Sequence, residues 1–361
     1  MKKMKKVIFV TNNIRAGGAE RVCVNLANEL SQLYDLTIVS GESQIHDFYE
    51  LKPEVERKSL AFDYMSKSIL GKVVELYNRI GRLSRFIKSE RPDVVVSFGL
   101  DMNVLSRLAT LVNNNVKVIC CEHNNHNALA NGIKVKIRNF VYRKADLLTA
   151  LTEYDKRYYL SKNVNCIVVN NPVVSLGVSC SLPRNKFLFV GRLEEQKNIP
   201  GLLDVIEKII EVEKESKFSI VGDGSKRQFL LEQIELRGLS NSVNYLGNQK
   251  EIGKLYASHR CLMLVSHYEG LPMVLIEAQD AGLPQVSYDC PTGPAEIISD
   301  ESTGYLIEHY DIDGFVKKVI KLNNDDNLAK KYSKESKIAA EEYSIDRVVK
   351  KWVEIIDGVT E

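Results

Sequence analysis

Short apolar runs alternate along this chain with longer stretches whose apolar positions recur at helical spacing. Residues 7–11, 36–40, 94–98, 116–121 and 147–152 read as buried strands. Between them, 19–33 and 105–111 carry helical periodicity, and a long helical stretch occupies 66–90. Strands that are apolar on consecutive positions are buried on both faces, so their alternation with helices predicts a parallel sheet covered on each side. A strand-like run at 166–169 and a polar stretch to about 185 follow. The pattern then restarts with strands at 186–190, 218–221, 243–246, 262–265, 285–288 and 305–307. Helices are expected at 199–213, 225–237, 250–258, 272–282 and 314–322, and a last one near 345–356 carries the only tryptophan, Trp352. The expected architecture is α/β: two Rossmann-like halves, 1–172 and 173–344, joined near residue 175.

Composition agrees. A chain of 361 residues is too long for one ordinary core and suits two domains of roughly 150 to 200 residues. Its 44% hydrophobic and 27% charged residues are those of a soluble globular protein. No apolar run approaches the roughly 18 to 20 residues of a membrane span. The first apolar run ends at polar Asn12, too short for a signal-peptide core, and reads as a first buried strand. Seven cysteines without C-x-x-C spacing suggest reduced packing thiols and a cytoplasmic location. The net charge of +2 hides an asymmetry: residues 1–172 hold 26 Lys+Arg against 17 Asp+Glu, and the remainder 23 against 30. The first half therefore attracts anions. Without a recognition-helix, zinc-finger or RNP signature, an anionic membrane surface or a diphosphate-bearing acceptor is preferred to nucleic acid.

The most informative stretch is Val265-Ser-His-Tyr-Glu-Gly-Leu-Pro-Met-Val-Leu-Ile-Glu277-Ala-Gln. An apolar strand runs into a turn carrying Glu269, Gly270, Leu271 and Pro272, and a helix follows with Glu277 about two turns along. Gly270 permits close backbone approach and Pro272 pre-sets the first helical turn. The unpaired amides opening that helix favour an anionic or hydroxyl-rich ligand. One carboxylate can hold sugar hydroxyls and the other a ribose diol, which suits a sugar nucleotide; two solvated charges on an amphipathic helix are the alternative.

Four further segments carry chemistry. Asn12-Asn-Ile-Arg-Ala-Gly-Gly-Ala-Glu-Arg21 places Gly17 and Gly18 between a strand and a helix N-terminus. Phe189-Val-Gly-Arg-Leu-Glu-Glu-Gln-Lys197-Asn sets Arg192 and Lys197 near a helix start, where two cations repel unless an anion bridges them; a solvated basic loop balanced by Glu194 and Glu195 is the other reading. Gly222 and Gly224 in Val221-Gly-Asp-Gly-Ser lack the third glycine of a dinucleotide fingerprint. Val118-Ile-Cys-Cys-Glu-His123-Asn-Asn ends a strand with a polar cluster, in which His123 is either a ligand contact or a satisfied structural imidazole. Asp311-Ile-Asp313 imitates a metal-binding pair, but Asp313 reads as the N-cap of helix 314–322, so no metal and no cofactor is expected.

These segments together resemble the retaining glycosyltransferases of family 4, which have the GT-B fold of two Rossmann-like domains facing an interdomain cleft. The likeness spans nearly the whole chain and is densest from 186 to 308. It carries the family's Glu-x7-Glu onto Glu269, against the donor sugar, and Glu277, on the ribose. It makes Arg192 and Lys197 the diphosphate clamp, and it places Gly17, Gly18, Gly222 and Gly224 at the cleft with His123 contacting the donor sugar. The segment Tyr288-Asp-Cys-Pro-Thr-Gly-Pro-Ala-Glu296 resembles a subgroup that builds bacterial surface polysaccharides, and implies that Thr292 and Gly293 approach the donor. It also implies that helix 345–358 crosses back onto the first domain.

The implied enzyme is a metal-independent hexosyltransferase. It would move a hexose or N-acetylhexosamine from a UDP-sugar to a polyprenyl-diphosphate-linked saccharide for O-antigen or capsule, working peripherally on the inner face of the plasma membrane. The acceptor would meet Arg15, Lys72, Arg79 and Arg138. The apolar stripe of helix 66–90 (Ile69, Val73, Leu76, Tyr77, Ile80, Leu83, Ile87) either packs in the core or rests on an anionic bilayer, and Lys134, Lys136, Arg143 and Lys144 extend its positive face. Two rivals stay open: a UDP-sugar 2-epimerase on the same architecture, and a basic membrane- or nucleic-acid-binding scaffold with a degenerate site.

Overall fold

The computed structural model describes residues 4–15, 17–60, 68–111, 116–128 and 132–361, with the side chain of Ile69 outside that set. The chain divides into two compact units, Met1–Pro172 with Ile345–Glu361, and Val173–Ser344. In unit 1 the order is β1 (Lys6–Thr11), α1 (Gly18–Leu30), β2 (Asp35–Ser40), β3 (Glu56–Ser59), α2 (Ile69–Glu90), β4 (Val94–Phe98), α3 (Leu100–Ala109), β5 (Lys117–Cys121), α4 (Ile133–Tyr142), β6 (Leu147–Ala150), α5 (Glu153–Ser161) and β7 (Cys166–Val168). All seven strands are parallel, in the order β3-β2-β1-β4-β5-β6-β7.

Strand alternation sends successive side chains to opposite faces. Val7 and Phe9 of β1, with Val94 and Val96 of β4, meet buried residues of α1 on one face. Ile8, Val10 and Val95 meet Leu83, Ile87, Met102 and Leu105 of α2 and α3 on the other. The first face is completed by α13 (Ile345–Thr360), which packs on α1 and buries Val348, Trp352 and Ile356.

Unit 2 runs β8 (Lys186–Val190), α6 (Ile199–Val212), β9 (Lys217–Val221), α7 (Arg227–Leu236), β10 (Val243–Gly247), α8 (Ile252–Ala257), β11 (Cys261–Leu264), α9 (Met273–Ala281), β12 (Gln285–Tyr288), α10 (Pro294–Ile297), β13 (Gly304–Ile307), α11 (Ile312–Asn324) and α12 (Asp326–Ala340). Its six parallel strands lie in the order β10-β9-β8-β11-β12-β13. Chain order reverses between β8 and β11, and ligands of open α/β sheets bind outside the carboxyl ends of the strands at such a switch point. A core of Phe187, Phe189, Ile206, Phe218, Val286 and Phe315 fixes that edge.

Several expectations need correction. β3 was not anticipated: Glu-Arg-Lys-Ser has no apolar face, being an exposed edge strand whose charges protect it from further pairing. α4, α5 and α12 were also missed, and Glu277 stands little more than one turn into α9, not two. The cap of α11 is Asp311, whose carboxylate accepts from the Gly314 amide at 2.9 Å; Asp313 lies inside the first turn and pairs with Lys208. Residues 66 and 67 of the long helix fall outside the described residues. Its apolar stripe divides: Leu83 and Ile87 are buried in the core, whereas Val73, Leu76 and Tyr77 are exposed, as are Leu70 and Val74 outside the stripe. All seven cysteines are free thiols, six of them buried. Among the described residues no helix is long and apolar enough to cross a membrane.

Candidate active site

The loops after β8 and β11 meet at the carboxyl edge of the unit 2 sheet. After β8 the chain passes Gly191 and Arg192, makes a single 3-10 turn (Glu195–Lys197), and reverses at Asn198. Asn198 adopts φ +52°, accepts from the Gly201 amide to cap α6, and donates to the Val265 carbonyl at 3.1 Å. That bond fastens one loop to the other. It carries Lys197 inward, so that its Nζ donates to Glu269 Oε1 at 2.6 Å with both side chains nearly inaccessible. Ser266 Oγ donates to the same oxygen at 2.6 Å, and Gln196 Nε2 reaches Glu269 Oε2 at 3.3 Å. Glu269 is thus a buried carboxylate with three donors, as burial of such a charge requires.

The other residues singled out in this unit lie in the loops after β8, β11 and β12 and in α9. Arg192 is exposed, its side chain donates to Gln196 at 3.4 Å and its charge acts on Glu194, so the guanidinium stands at the surface within reach of a ligand. Leu271 and Pro272 are buried, and α9 begins directly after them with the free amide donors of a helix N-terminus. Glu277 is buried, and Tyr256 donates to its Oε2 at 2.9 Å. Thr292 stands at φ +65° with its hydroxyl on the Glu269 carbonyl, and Gly293 at φ +93°. A Cβ at Gly293 would collide with the Gly270 carbonyl and the Pro272 ring, so this turn can close on the Glu269 loop only with glycine there. Burial pushes the neighbouring Cys290 thiol up to about 12, which leaves it a poor nucleophile.

Gly222 and Gly224 take a different part. A Cβ on Gly222 would overlap the Gly191 carbonyl, and one on Gly224 the Leu193 carbonyl. The loop after β9 therefore lies flat against the loop bearing Arg192, joined by Leu193 to Asp223 at 2.9 Å and Ser225 to Glu194 at 2.6 Å. Ser225 holds the Glu194 carboxyl below its usual range. These glycines shape the site by letting backbones touch.

In unit 1, Arg15 follows β1 and pairs with Glu42 at 2.7 Å, Gly17 accepts from the Tyr49 hydroxyl, and Gly18 opens α1. His123 follows β5 and stacks on Phe98 at 5.7 Å. Both of its ring nitrogens are buried, and among the described residues only the Asn171 side chain acts on the ring as a bonding group, without meeting full hydrogen-bond geometry. Burial pushes its pKa down to about 4. Since the folded value lies below the ordinary 6.5, stability from the neutral ring is present above 6.5 and lost as pH falls toward 4. His123→Gln should flatten the pH dependence of the urea midpoint in that window; an unchanged slope would mean the ring is solvated.

Arg138 does not lie on the positive face expected for it. It is 2% exposed, donates to the His126 carbonyl at 2.8 Å and the Tyr158 hydroxyl at 3.2 Å, and packs over two tyrosine rings. Its charge was read from sequence without its burial, and its donors are committed internally. Lys72 is exposed on α2 and Arg79 is half-buried there. Among the described residues no group of three or more His, Cys, Asp or Glu is placed to hold a metal ion. Sequence reasoning reads Asn198 only as a helix start and does not reach Gln196, Tyr256 or Ser266. Only Asn198, a cap-type residue before an Ile-Pro helix start, left a local signal.

Comparison with known proteins identifies the family. Residues 181–339 match the Glycosyl transferases group 1 family and 16–174 match Glycosyltransferase Family 4. The chain is 30% identical to the amylovoran biosynthesis glycosyltransferase AmsD of Erwinia amylovora, over 98% of this chain and 99% of that one. It is also 30% identical, over 99% of each, to the GalNAc-alpha-(1->4)-GalNAc-alpha-(1->3)-diNAcBac-PP-undecaprenol alpha-1,4-N-acetyl-D-galactosaminyltransferase of Campylobacter jejuni. A crystal structure of S. aureus TarM in complex with UDP superimposes with a TM-score of 0.79 at 16% identity, covering 98% of this chain and 100% of that one. The lipopolysaccharide outer core galactosyltransferase WaaB does so at 0.78 and 20% identity, covering 98% and 99%. These likenesses give the epimerase reading no support. The chain belongs to glycosyltransferase family 4, with the GT-B fold, among the glycosyltransferases of bacterial polysaccharide and lipid-linked sugar biosynthesis.

Proposed function

We propose that this chain is a retaining, metal-independent transferase that moves a hexose or N-acetylhexosamine from a UDP-sugar to a saccharide carried on a polyprenyl diphosphate. The observation that carries the reading is the buried Lys197–Glu269 pair, joined through Gln196 to the exposed Arg192 guanidinium and followed in the chain by the start of α9. Lys197 and Arg192 supply positive charge where a diphosphate would lie against the helix amides. Glu269 offers its carboxylate to sugar hydroxyls, and Glu277 to the ribose diol. As the glycosidic bond to the diphosphate breaks, the departing phosphate gains negative charge. Preorganised cations stabilise that charge more in the transition state than in the ground state. The acceptor hydroxyl attacks the anomeric carbon from the same face, and its proton passes to the leaving phosphate oxygen. The resemblance gives His123 a place near the donor sugar, where a ring kept neutral by burial adds no charge. Names of relatives support the substrate classes: one acts on a PP-undecaprenol glycan and another is a UDP-Gal transferase acting on a diphosphoundecaprenol acceptor.

The same reading places unit 1 at the acceptor and at an anionic membrane surface, with the protein peripheral on the cytoplasmic side. The exposed Leu70, Val73, Val74 and Tyr77 of α2, and Ile133, Ile137 and Phe140 of α4, support it because each set lies beside lysines or arginines. Turnover of a UDP-sugar panel with a polyprenyl-diphosphate saccharide, in excess EDTA, tests the proposal. Transfer at the untreated rate is expected; loss of activity restored by manganese would overturn metal independence.

A further inference from the structure

The loop after β2 is held far more firmly than a surface connection needs. Arg57 of edge strand β3 turns inward with its side chain only 8% exposed. Its Nε and Nη2 grip both oxygens of Asp47, at 2.9 and 3.0 Å, while Nη2 also donates to Ser40 Oγ at 2.6 Å and Nη1 to the Lys58 carbonyl at 2.5 Å. A guanidinium fork committed in this way fixes the loop in one conformation. The loop is also bonded to the glycine turn after β1. Gly41 donates to the Asn12 carbonyl, Phe48 to the Ile14 carbonyl, and the Tyr49 hydroxyl to the Gly17 carbonyl, at 3.1, 2.8 and 3.1 Å.

What this frame presents is unusual for a polar loop. Ile45 is 83% exposed and Phe48 60%, the Phe48 ring being held edge-on to Tyr49 at 5.1 Å. Beside them on the bonded turn lies the Arg15–Glu42 pair. A rigid, accessible aromatic ring next to paired donors and acceptors is the combination that takes a sugar. The ring covers the apolar C–H face, and the charged pair meets the hydroxyls.

We propose that residues 41–49 form the acceptor-recognition loop, seating a sugar of the acceptor glycan on Phe48, with Arg57 as its positioning residue. This rests on the reading of unit 1 as the acceptor-binding unit. It goes further in naming the loop, the ligand part and the buried anchor.

Saturation-transfer NMR on the full chain with the methyl glycosides of galactose, glucose, N-acetylgalactosamine and N-acetylglucosamine tests it. At least one glycoside should receive saturation, with affinity about three- to tenfold weaker in Phe48→Ala, the range for loss of one aromatic contact. Arg57→Lys keeps the charge but not the fork, and should weaken the same glycoside while leaving UDP affinity unchanged. Phe48 is exposed, so its variant keeps the fold and reads the contact even where Arg57→Lys unfolds. No saturation of any glycoside, or an equal signal in Phe48→Ala, overturns the proposal. So does a Phe48→Ala variant that loses only binding to vesicles containing anionic phospholipid, because the loop would then touch lipid. Failure of the wild type to bind UDP would instead count against the transferase reading itself.

Discussion

Lys197→Ala should lower kcat/KM by about 2 to 4 kcal/mol, roughly 30- to 1000-fold, because it removes a preorganised charge from the place where the leaving phosphate develops its own. The same substitution should also destabilise the protein. It strands the Glu269 carboxylate in a nearly inaccessible position with Ser266 and Gln196 as its remaining donors, and breaking a buried pair on one side costs on the order of 3 to 5 kcal/mol. The two effects separate in the double variant Lys197→Ala/Glu269→Ala. Without a stranded charge its stability should recover most of the loss, while transfer stays at the level of the single variant or below. Chemical denaturation with steady-state rates on both proteins decides the matter. A single variant with wild-type turnover would remove Lys197 from the mechanism, and a double variant no more stable than the single would show that the pair is not what holds the loop.

A second large effect is expected from one added methyl group. Gly222→Ala places a Cβ on the Gly191 carbonyl, and at φ +130° the backbone itself disfavours a side chain. Overpacking costs about 1 to 3 kcal/mol and an incompatible positive φ adds about 1 or more, so a loss of roughly 2 to 4 kcal/mol follows. The functional loss should be larger than stability alone explains. The strand–loop segment that must yield is the one carrying Arg192 and Lys197, so UDP affinity should fall about tenfold or more even where the variant stays folded. Urea denaturation and a UDP titration check both halves. Wild-type affinity in a destabilised Gly222→Ala protein would mean that the contact with Gly191 holds the fold but does not shape the site.

The reach of the sequence is set by what is local. β4, with Val-Val-Val-Ser-Phe, and β11 were readable because strands buried on both faces are almost wholly apolar. β3 was not, since an edge strand of Glu-Arg-Lys-Ser has no apolar face to show. In α4 the lysines drew attention as charge and concealed the periodicity of Ile133, Ile137 and Phe140, which are exposed and so left no trace of a core. The site shows the same boundary. Arg192, Lys197, Glu269 and Glu277 could each be picked out by their positions after strands and near helix starts; Gln196 and Lys197 link the first three, while Glu277 is buried against Tyr256. That Lys197 and Glu269 pair with each other could not be read, because 72 residues separate them and their loops are brought together by long-range bonds such as Asn198 to the Val265 carbonyl and His267 to the Gln196 carbonyl. Arg138 fails for the complementary reason. Nothing in Lys-Ile-Arg-Asn announces that a guanidinium will be enclosed by Tyr158, Tyr159 and a carbonyl.

Cationic side chains, in place of a metal ion, are proposed to grip the diphosphate of a nucleotide at the edge of unit 2. Calorimetric titration of UDP in excess EDTA, into the wild type and into Lys197→Ala/Glu269→Ala, measures this most directly. The account predicts saturable binding to the wild type without divalent cation, and affinity weaker by about tenfold or more in the double variant. Equal affinity in the two proteins, or wild-type binding that appears only when manganese or magnesium is restored, would contradict it.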